Sequence, residues 1–314
     1  MRAPRFSAII PSYNAERTIA ATIRSVVAQT ERSLELVVVD DGSTDRTAEL
    51  IGRVSQEDAR VRLIRQRNQG VAAARNTGIG ATNAEYVSFL DNDDLWMPQY
   101  LARMGAVLDR SPDAGFGFCD GWSLDDSSKR IGRRSLFASS KPPRPLPPTA
   151  EDQLLRLAED NFVWGSVTVR RSALEAAGGF DPAVNGVDDY DLWLRLLVAG
   201  HRAVLAEGRL ILQRHRADSA SQDHLMMVER LSAVCRRLAD NSRASPEARA
   251  RAAARLATLD ARAAALRGQG GTRGFAYRAR RTGAAVANRI LKRWRYPQSP
   301  PPEVAEALRS RDLL

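Results

Sequence analysis

Two cysteines, Cys119 and Cys235, are too few and too far apart for a disulfide framework, and neither has a second Cys or a nearby His at metal-ligand spacing. Both read as packed free thiols of a reducing compartment. No stretch reaches the roughly 18 consecutive apolar residues of a membrane span, and the opening Met1-Arg2-Ala3-Pro4 lacks the apolar core of a secretory signal. The expectation is a cytoplasmic protein. No G-x-G-x-x-G follows the first apolar run, where Pro11-Ser12-Tyr13-Asn14 stands instead, which argues against a nicotinamide dehydrogenase. A Gly- and Arg/Lys-rich phosphate loop, which a nucleotidyltransferase would want there, is also missing.

A net charge of +10 would suggest a nucleic-acid partner were it spread along the chain. It is not. Residues 1 to 224 hold 28 Lys or Arg against 30 Asp or Glu, whereas residues 225 to 314 hold 19 against 7. The larger part therefore has no basic stripe interleaved with stacking aromatics, and no nucleic acid is expected as a partner. We divide the chain into a main domain, 1-222, and a basic helical C-terminal extension, 223-314.

What is present is an alternation of strand and helix patterns. Phe6 to Ile10, Leu36 to Val39 and Val61 to Ile64 are short β-rich runs, and Ile19, Ile23, Val26 and Val27 recur at helical spacing. Further helices are expected from about Asp45 to Val54 and over Val71 to Ile79, with a strand from Tyr86 to Leu90 between the second of these and an acidic cluster. The fold class is α/β, with a mostly parallel sheet that binds ligands at the carboxyl ends of its strands. Chemistry-bearing residues fall at those ends: Pro11 to Asn14, Asp40-Asp41-Gly42-Ser43-Thr44-Asp45, and Asp91-Asn92-Asp93-Asp94. Clustered carboxylates repel unless a cation or several donors hold them, so the last group is either a metal site or an acidic turn that caps the helix beginning near Pro98.

These three strand ends, with Ala74-Arg75-Asn76-Thr77-Gly78, Gly178-Gly179-Phe180-Asp181 and Asp188-Asp189-Tyr190-Asp191-Leu192-Trp193-Leu194-Arg195, resemble the family 2 glycosyltransferases of the GT-A fold. The resemblance covers about residues 5 to 220. It implies an inverting, non-processive and metal-dependent hexosyltransferase-type enzyme that uses a nucleotide-diphosphate sugar donor, in cell-surface glycan synthesis. On the donor side it places Asp41 at the base, the Tyr13 ring for stacking, Pro11 at the strand end, and Arg75 near a phosphate or the ribose. It places Asp93 on Mn2+ or Mg2+ directly and Asp91 on the metal through water or the ribose, with Asn92 between them on the donor side. His215 would add a metal ligand and Arg214 a phosphate contact. Asp94 is assigned to capping the following helix. The catalytic base is Asp189, with Asp188 the alternative. Asp188 also departs from the family pattern, which usually has Glu there.

Residues 120 to 150 are polar, basic and Pro-rich and read as a connector or a loop over the site. Trp122 and Trp164 are candidates for sugar stacking, with core packing the commoner fate. In the extension two helices form a hairpin before Gly268-Gln269-Gly270-Gly271. Beyond it, residues 272-296 carry Arg278, Arg280, Arg281, Arg289, Lys292, Arg293 and Arg295 around Phe275, Val286, Ile290 and Trp294, a pattern for peripheral contact with an anionic membrane at its inner face. The acceptor would be a glycan or a lipid-linked species. A polymerising synthase is disfavoured, since Ile290 stands where a Gln would precede Arg293-Trp294. A non-catalytic sugar-nucleotide or carbohydrate-binding homologue is the alternative from another class.

Overall fold

The computed structural model describes residues 3–125, 130–140, 142–163, 166–215 and 223–268. Strands β1 (Phe6–Ser12), β2 (Leu34–Asp40), β3 (Val61–Arg65) and β4 (Tyr86–Phe89) pair in parallel in the order β3-β2-β1-β4. They are joined by helices α1 (Ile19–Val27), α2 (Thr47–Glu57) and α3 (Val71–Gly80). The unbroken Val37-Val38-Val39 run suits a strand covered on both faces. Its side chains divide accordingly: Leu36 and Val38 join a core with Ile10, Ile19, Ile23 and Ile51, while Val37 and Val39 meet Ala74 of α3. Gly78 lets α3 lie against β1, since a Cβ there would stand 2.5 Å from Ile9 Cγ2.

Beyond β4 the sheet becomes mixed. It continues through β8 (Val167–Arg170), antiparallel to both β4 and β6 (Ala114–Asp125), then β9 (Arg202–His215), parallel to β6, and the short β5 (Leu95–Trp96). Strand β7 (Arg130–Ser135) pairs with β6. Part of the expected connector over 120 to 150 is therefore sheet. Paired backbone satisfies the groups that a free loop would leave to water. Trp122 sits in β6 with the Arg209 guanidinium 4.0 Å from its ring centroid, so one of its faces is taken by an arginine. Trp164 lies outside the described residues.

Helix α4 (Tyr100–Asp109) corrects the assignment of Asp94 as a cap. Its first turn is preceded by Gln99 with no side-chain cap, and Asp94 is buried five residues upstream. Gln29 ties this region down instead, with Nε2 donating to the Met97 carbonyl and Oε1 accepting the Leu101 N–H.

Helices α5 (Phe137–Ser140), α6 (Ala150–Glu159) and α7 (Arg171–Ala176) precede a 3-10 turn at Pro182–Val184, which leads into α8 (Asp188–Val198). Helices α9 (His224–Ala239) and α10 (Pro246–Gly268) form the expected hairpin. Val234, Leu238, Ala244, Ala248 and Ala252 enter the same core as Leu157, Tyr190 and Leu194. Small Ala side chains on α10 permit that close approach. Arg255 donates to the Tyr190 hydroxyl at 3.0 Å, so the hairpin braces α8 from outside the sheet.

Candidate active site

The first two strand ends are knitted together by hydrogen bonds. Ser43 Oγ accepts the Asn14 N–H at 3.0 Å, Asn14 Oδ1 accepts the Thr44 N–H at 2.9 Å, and Thr47 Oγ1 accepts the Ala15 N–H at 2.7 Å. Asn14 adopts φ +47°, which Asn tolerates better than most residues. The turn leaves Tyr13 47% exposed, a ring face open to a planar ligand. Pro11 has no N–H to donate, and the ladder to β4 runs only as far as Ile9↔Phe89.

Asp40 and Asp41 are both buried, and both are satisfied by the protein itself. Asp40 accepts the Ser43 N–H and an ion pair from Arg65 at 3.0 Å. Asp41 accepts Gln66 Nε2 at 2.8 Å, Gln69 N–H at 2.9 Å and Gly70 N–H at 2.8 Å. Structural bonds thus account for two acids whose spacing alone suggested a ligand. Asp41 folds loop 66–70 against the end of β2, and Gln66 passes the contact on by accepting the Thr77 hydroxyl. Gly42, at φ +77°, has no room for a Cβ, which would lie 2.9 Å from Asn68 N.

Arg75 is the hub of the site. From α3 its Nη1 donates to Asp188 Oδ2 at 2.6 Å and its Nη2 to Asp91 Oδ1 at 2.8 Å, with the guanidinium 5.1 Å from the Phe180 ring centroid. Burial pulls the Arg75 pKa down, but Asp188, Asp91 and Asp189 outweigh it and hold the group above its ordinary value. The adjacent Asn76 accepts the Phe180 N–H at 2.9 Å and donates to the Phe180 carbonyl at 2.7 Å. Arg195 of α8 reaches back to the Gly179 carbonyl at 2.8 Å. Two consecutive residues of α3 therefore fix both the Gly178-Gly179-Phe180 turn and the start of α8.

The two acids at that start differ. Asp188 is fully engaged, accepting the Gly186 N–H at 2.9 Å as well as Arg75. Asp189 is half-buried and accepts only the Tyr190 N–H, at 2.7 Å, among the bonds resolved for it. Burial first, then the neighbouring Asp188 charge, push Asp189 up to about 6, against the pull of Arg75. A carboxyl poised near neutral pH beside a committed one suits a general base.

Asp91 is exposed, Asn92 and Asp93 are half-buried, and Asp94 is buried. Asp94 Oδ1 accepts the Arg214 N–H at 2.8 Å while Arg214 Nε donates to the Asp93 carbonyl at 2.9 Å, so β9 clasps the acidic turn. Burial, with the charges of Asp93 and Asp91, pushes the Asp94 carboxyl well above the usual range. The Asn92 carbonyl accepts the Thr22 hydroxyl at 3.0 Å. His215 is the exposed last residue of β9, next to this clasp. Among the described residues no three His, Cys, Asp or Glu side chains form a preassembled metal cage. Two hard carboxylates without a cage fit a cation that completes its shell with substrate phosphates and water, as Mg2+ commonly does.

The structure thus gathers Asp91, Arg75, Asp188 and Asp189 in one network, with Asp93, Asp94 and Arg214 adjoining it. Asp41 and Tyr13 stand at neighbouring strand ends. Sequence reasoning missed Asn185, whose Oδ1 accepts the Ala72 N–H at 3.3 Å. Asn185-Gly186 reads only as a turn dipeptide, and nothing in the spacing announces a partner 113 residues away.

The family model described as Glycosyl transferase family 2 matches residues 7–178. The chain is 33% identical over 234 residues to the succinoglycan biosynthesis protein ExoO of Rhizobium meliloti, covering 71% of this chain and 66% of that protein. It is 30% identical over 225 residues to EpsJ of Bacillus subtilis, an uncharacterized glycosyltransferase, covering 70% of this chain and 63% of the relative. The matches therefore span less than two thirds of those relatives' own lengths. Among solved structures, the Pyrobaculum calidifontis mannosyltransferase PcManGT in complex with GDP-Man and Mn2+ aligns at a TM-score of 0.63 and 21% identity, covering 99% of this chain and 85% of that one. S. aureus TarS with UDP-GlcNAc aligns at 0.61 and 18%, covering 82% of this chain and 71% of that one. Both likenesses are of fold.

Proposed function

From its membership of glycosyl transferase family 2, we propose that this chain is a non-processive transferase that moves a hexosyl group from a nucleotide-diphosphate sugar to an acceptor hydroxyl with inversion. The observation that carries the reading is Arg75. It joins Asp91 at the end of β4 to Asp188 at the start of α8, and so brings the donor-side acids next to Asp189.

Asp189 accepts the acceptor proton while the acceptor oxygen attacks the anomeric carbon on the face opposite the diphosphate. The bond from that carbon to the diphosphate oxygen breaks, and its electron pair leaves with the diphosphate. A single displacement of this kind inverts the configuration. Tyr13 stacks on the base, Asp41 holds loop 66–70 beside it, and Arg214 secures the acidic turn. Mn2+ or Mg2+ would be held by Asp93 and Asp91, with His215 a further donor at the same edge, and would supply neutralisation of charge on the leaving diphosphate.

A thermal-shift screen of UDP-, GDP- and dTDP-sugars with and without Mn2+ tests the donor assignment. A donor at about 100 times its Kd should stabilise the fold by about 2.7 kcal/mol. Asp93→Ala should abolish the Mn2+-dependent part of that shift; an unchanged shift would remove the metal assignment. UDP- and GDP-sugars lead the screen because the two solved neighbours hold UDP-GlcNAc and GDP-Man.

The acceptor is a glycan or a lipid-linked precursor of a cell-surface polysaccharide, a reading supported by the succinoglycan relative. Among the described residues no helix is long and apolar enough to cross a membrane. The protein works in the cytoplasm, with the basic segment 272-296, which lies outside the described residues, supplying peripheral contact with an anionic inner leaflet. Co-sedimentation with anionic liposomes should fall on deletion of residues 272–314 and on addition of salt. Equal sedimentation of both forms would sink this contact.

A further inference from the structure

We propose that Asn185 is a positioning residue that couples donor occupancy of loop 66–70 to the placement of Asp189. The inference rests on the donor reading above and adds a route by which a bound nucleotide is felt at the base. The route is short and continuous. Asp41 Oδ2 accepts the Gly70 N–H at 2.8 Å and Oδ1 the Gln69 N–H at 2.9 Å, which fixes the loop to β2. Gly70 then lies directly against the Asn185 amide: at φ +89°, its hypothetical Cβ would fall 2.5 Å from Asn185 Nδ2. Only glycine both adopts that backbone and leaves the space.

Asn185 Oδ1 accepts the Ala72 N–H at 3.3 Å. Helix α3 has no capping side chain from its own N-terminal flank. Asn185 therefore supplies, from the far side of the site, the acceptor that a local cap would normally give to the first turn. On the other side of Asn185, the next residue donates its N–H to Asp188 Oδ1 at 2.9 Å, and Asp188 is followed by Asp189. A shift of loop 66–70 thus reaches the start of α8 through one amide side chain. Arg75 joins the same two elements by charge, from one turn deeper in α3. The two straps differ in kind: Arg75 senses the acids, and Asn185 senses the backbone of the loop.

Hydrogen–deuterium exchange of the full chain with UDP or GDP and Mn2+ tests this, using whichever nucleotide raises the melting temperature. In the wild type, nucleotide should slow exchange at least threefold in both 66–72 and 185–190. Asn185→Ala should bind nucleotide within about threefold of wild type and keep the protection at 66–72, but lose it at 185–190. Asn185→Asp, which retains an acceptor for the Ala72 N–H, should restore it. A merely structural role would speed exchange at 185–190 with and without nucleotide alike. Protection of 185–190 that persists in Asn185→Ala, or that never occurs in the wild type while 66–72 is protected, overturns the coupling alone. Absence of protection at 66–72 with a nucleotide that does raise the melting temperature overturns the coupling and leaves the donor reading standing, whereas no rise with any nucleotide overturns the donor reading and the coupling with it.

Discussion

Replacing Asp189 with Asn is expected to lower turnover by about 10²–10⁴-fold while leaving nucleotide affinity unchanged and the melting temperature equal or higher. The three parts follow from one environment. The side chain is the acid at the start of α8 that is not locked into an ion pair, so the proton acceptor is lost with it. Its burial beside Asp188 raises its pKa to about 6, so in the folded state the ionised form is disfavoured. A group with a raised folded pKa contributes stability below its unfolded pKa, and that contribution is lost as pH rises through the folded value. At pH 7 to 8 the wild type has already lost it, and a neutral isostere escapes the penalty. Turnover in the wild type should show the opposite trend, rising with pH through about 6 as the base ionises, and Asn should remove that limb. Steady-state kinetics from pH 5 to 8, with thermal melts of both forms, checks all three. Survival of turnover in Asp189→Asn would place the base elsewhere.

The contrast between Asp188 and Asp189 shows how far the sequence was legible. Local pattern was enough for β1 to β4 and α1 to α3, because a buried strand or an amphipathic helix writes its period directly into neighbouring residues. It was also enough to gather acids at strand ends. It could not say which acids were already spent. Asp40 and Asp41 are consumed by Arg65 and by the amides of loop 66–70. Asp94 is consumed by the Arg214 backbone, 120 residues away. Saturation of a carboxylate is a property of three-dimensional neighbours, and for that reason the cap assigned to Asp94 failed. Strand β7 and the end of β6 were hidden because they lie within the charged stretch over 120 to 150, whose prolines from 142 to 148 gave the whole a connector's composition.

Arg75→Met is expected to be the most destabilising change in the site, costing about 3–5 kcal/mol by urea unfolding, as removal of one partner of a buried ion pair does. Asp188 is the reason. Its side chain is 2% exposed, and without Arg75 its charge would keep only the Gly186 N–H. Asp91, at 54% exposure, can return to water and adds little to the cost. Arg75→Lys should fall between the two, because a point charge cannot repeat the fork that reaches Asp188 and Asp91 together. Asp188→Asn combined with Arg75→Met should cost less than the sum of the single changes, since the double variant no longer leaves a charged Asp188 without its partner. An additive result would show that Arg75 acts through packing on Phe180 instead. Turnover should fall by about 10²-fold even where the fold survives, since small misplacement of a reacting group is that costly. The same guanidinium feels three carboxylates, Asp188, Asp91 and Asp189, so it is also the charge that lets them stand close together, which the proposed sharing of one site by donor and base requires.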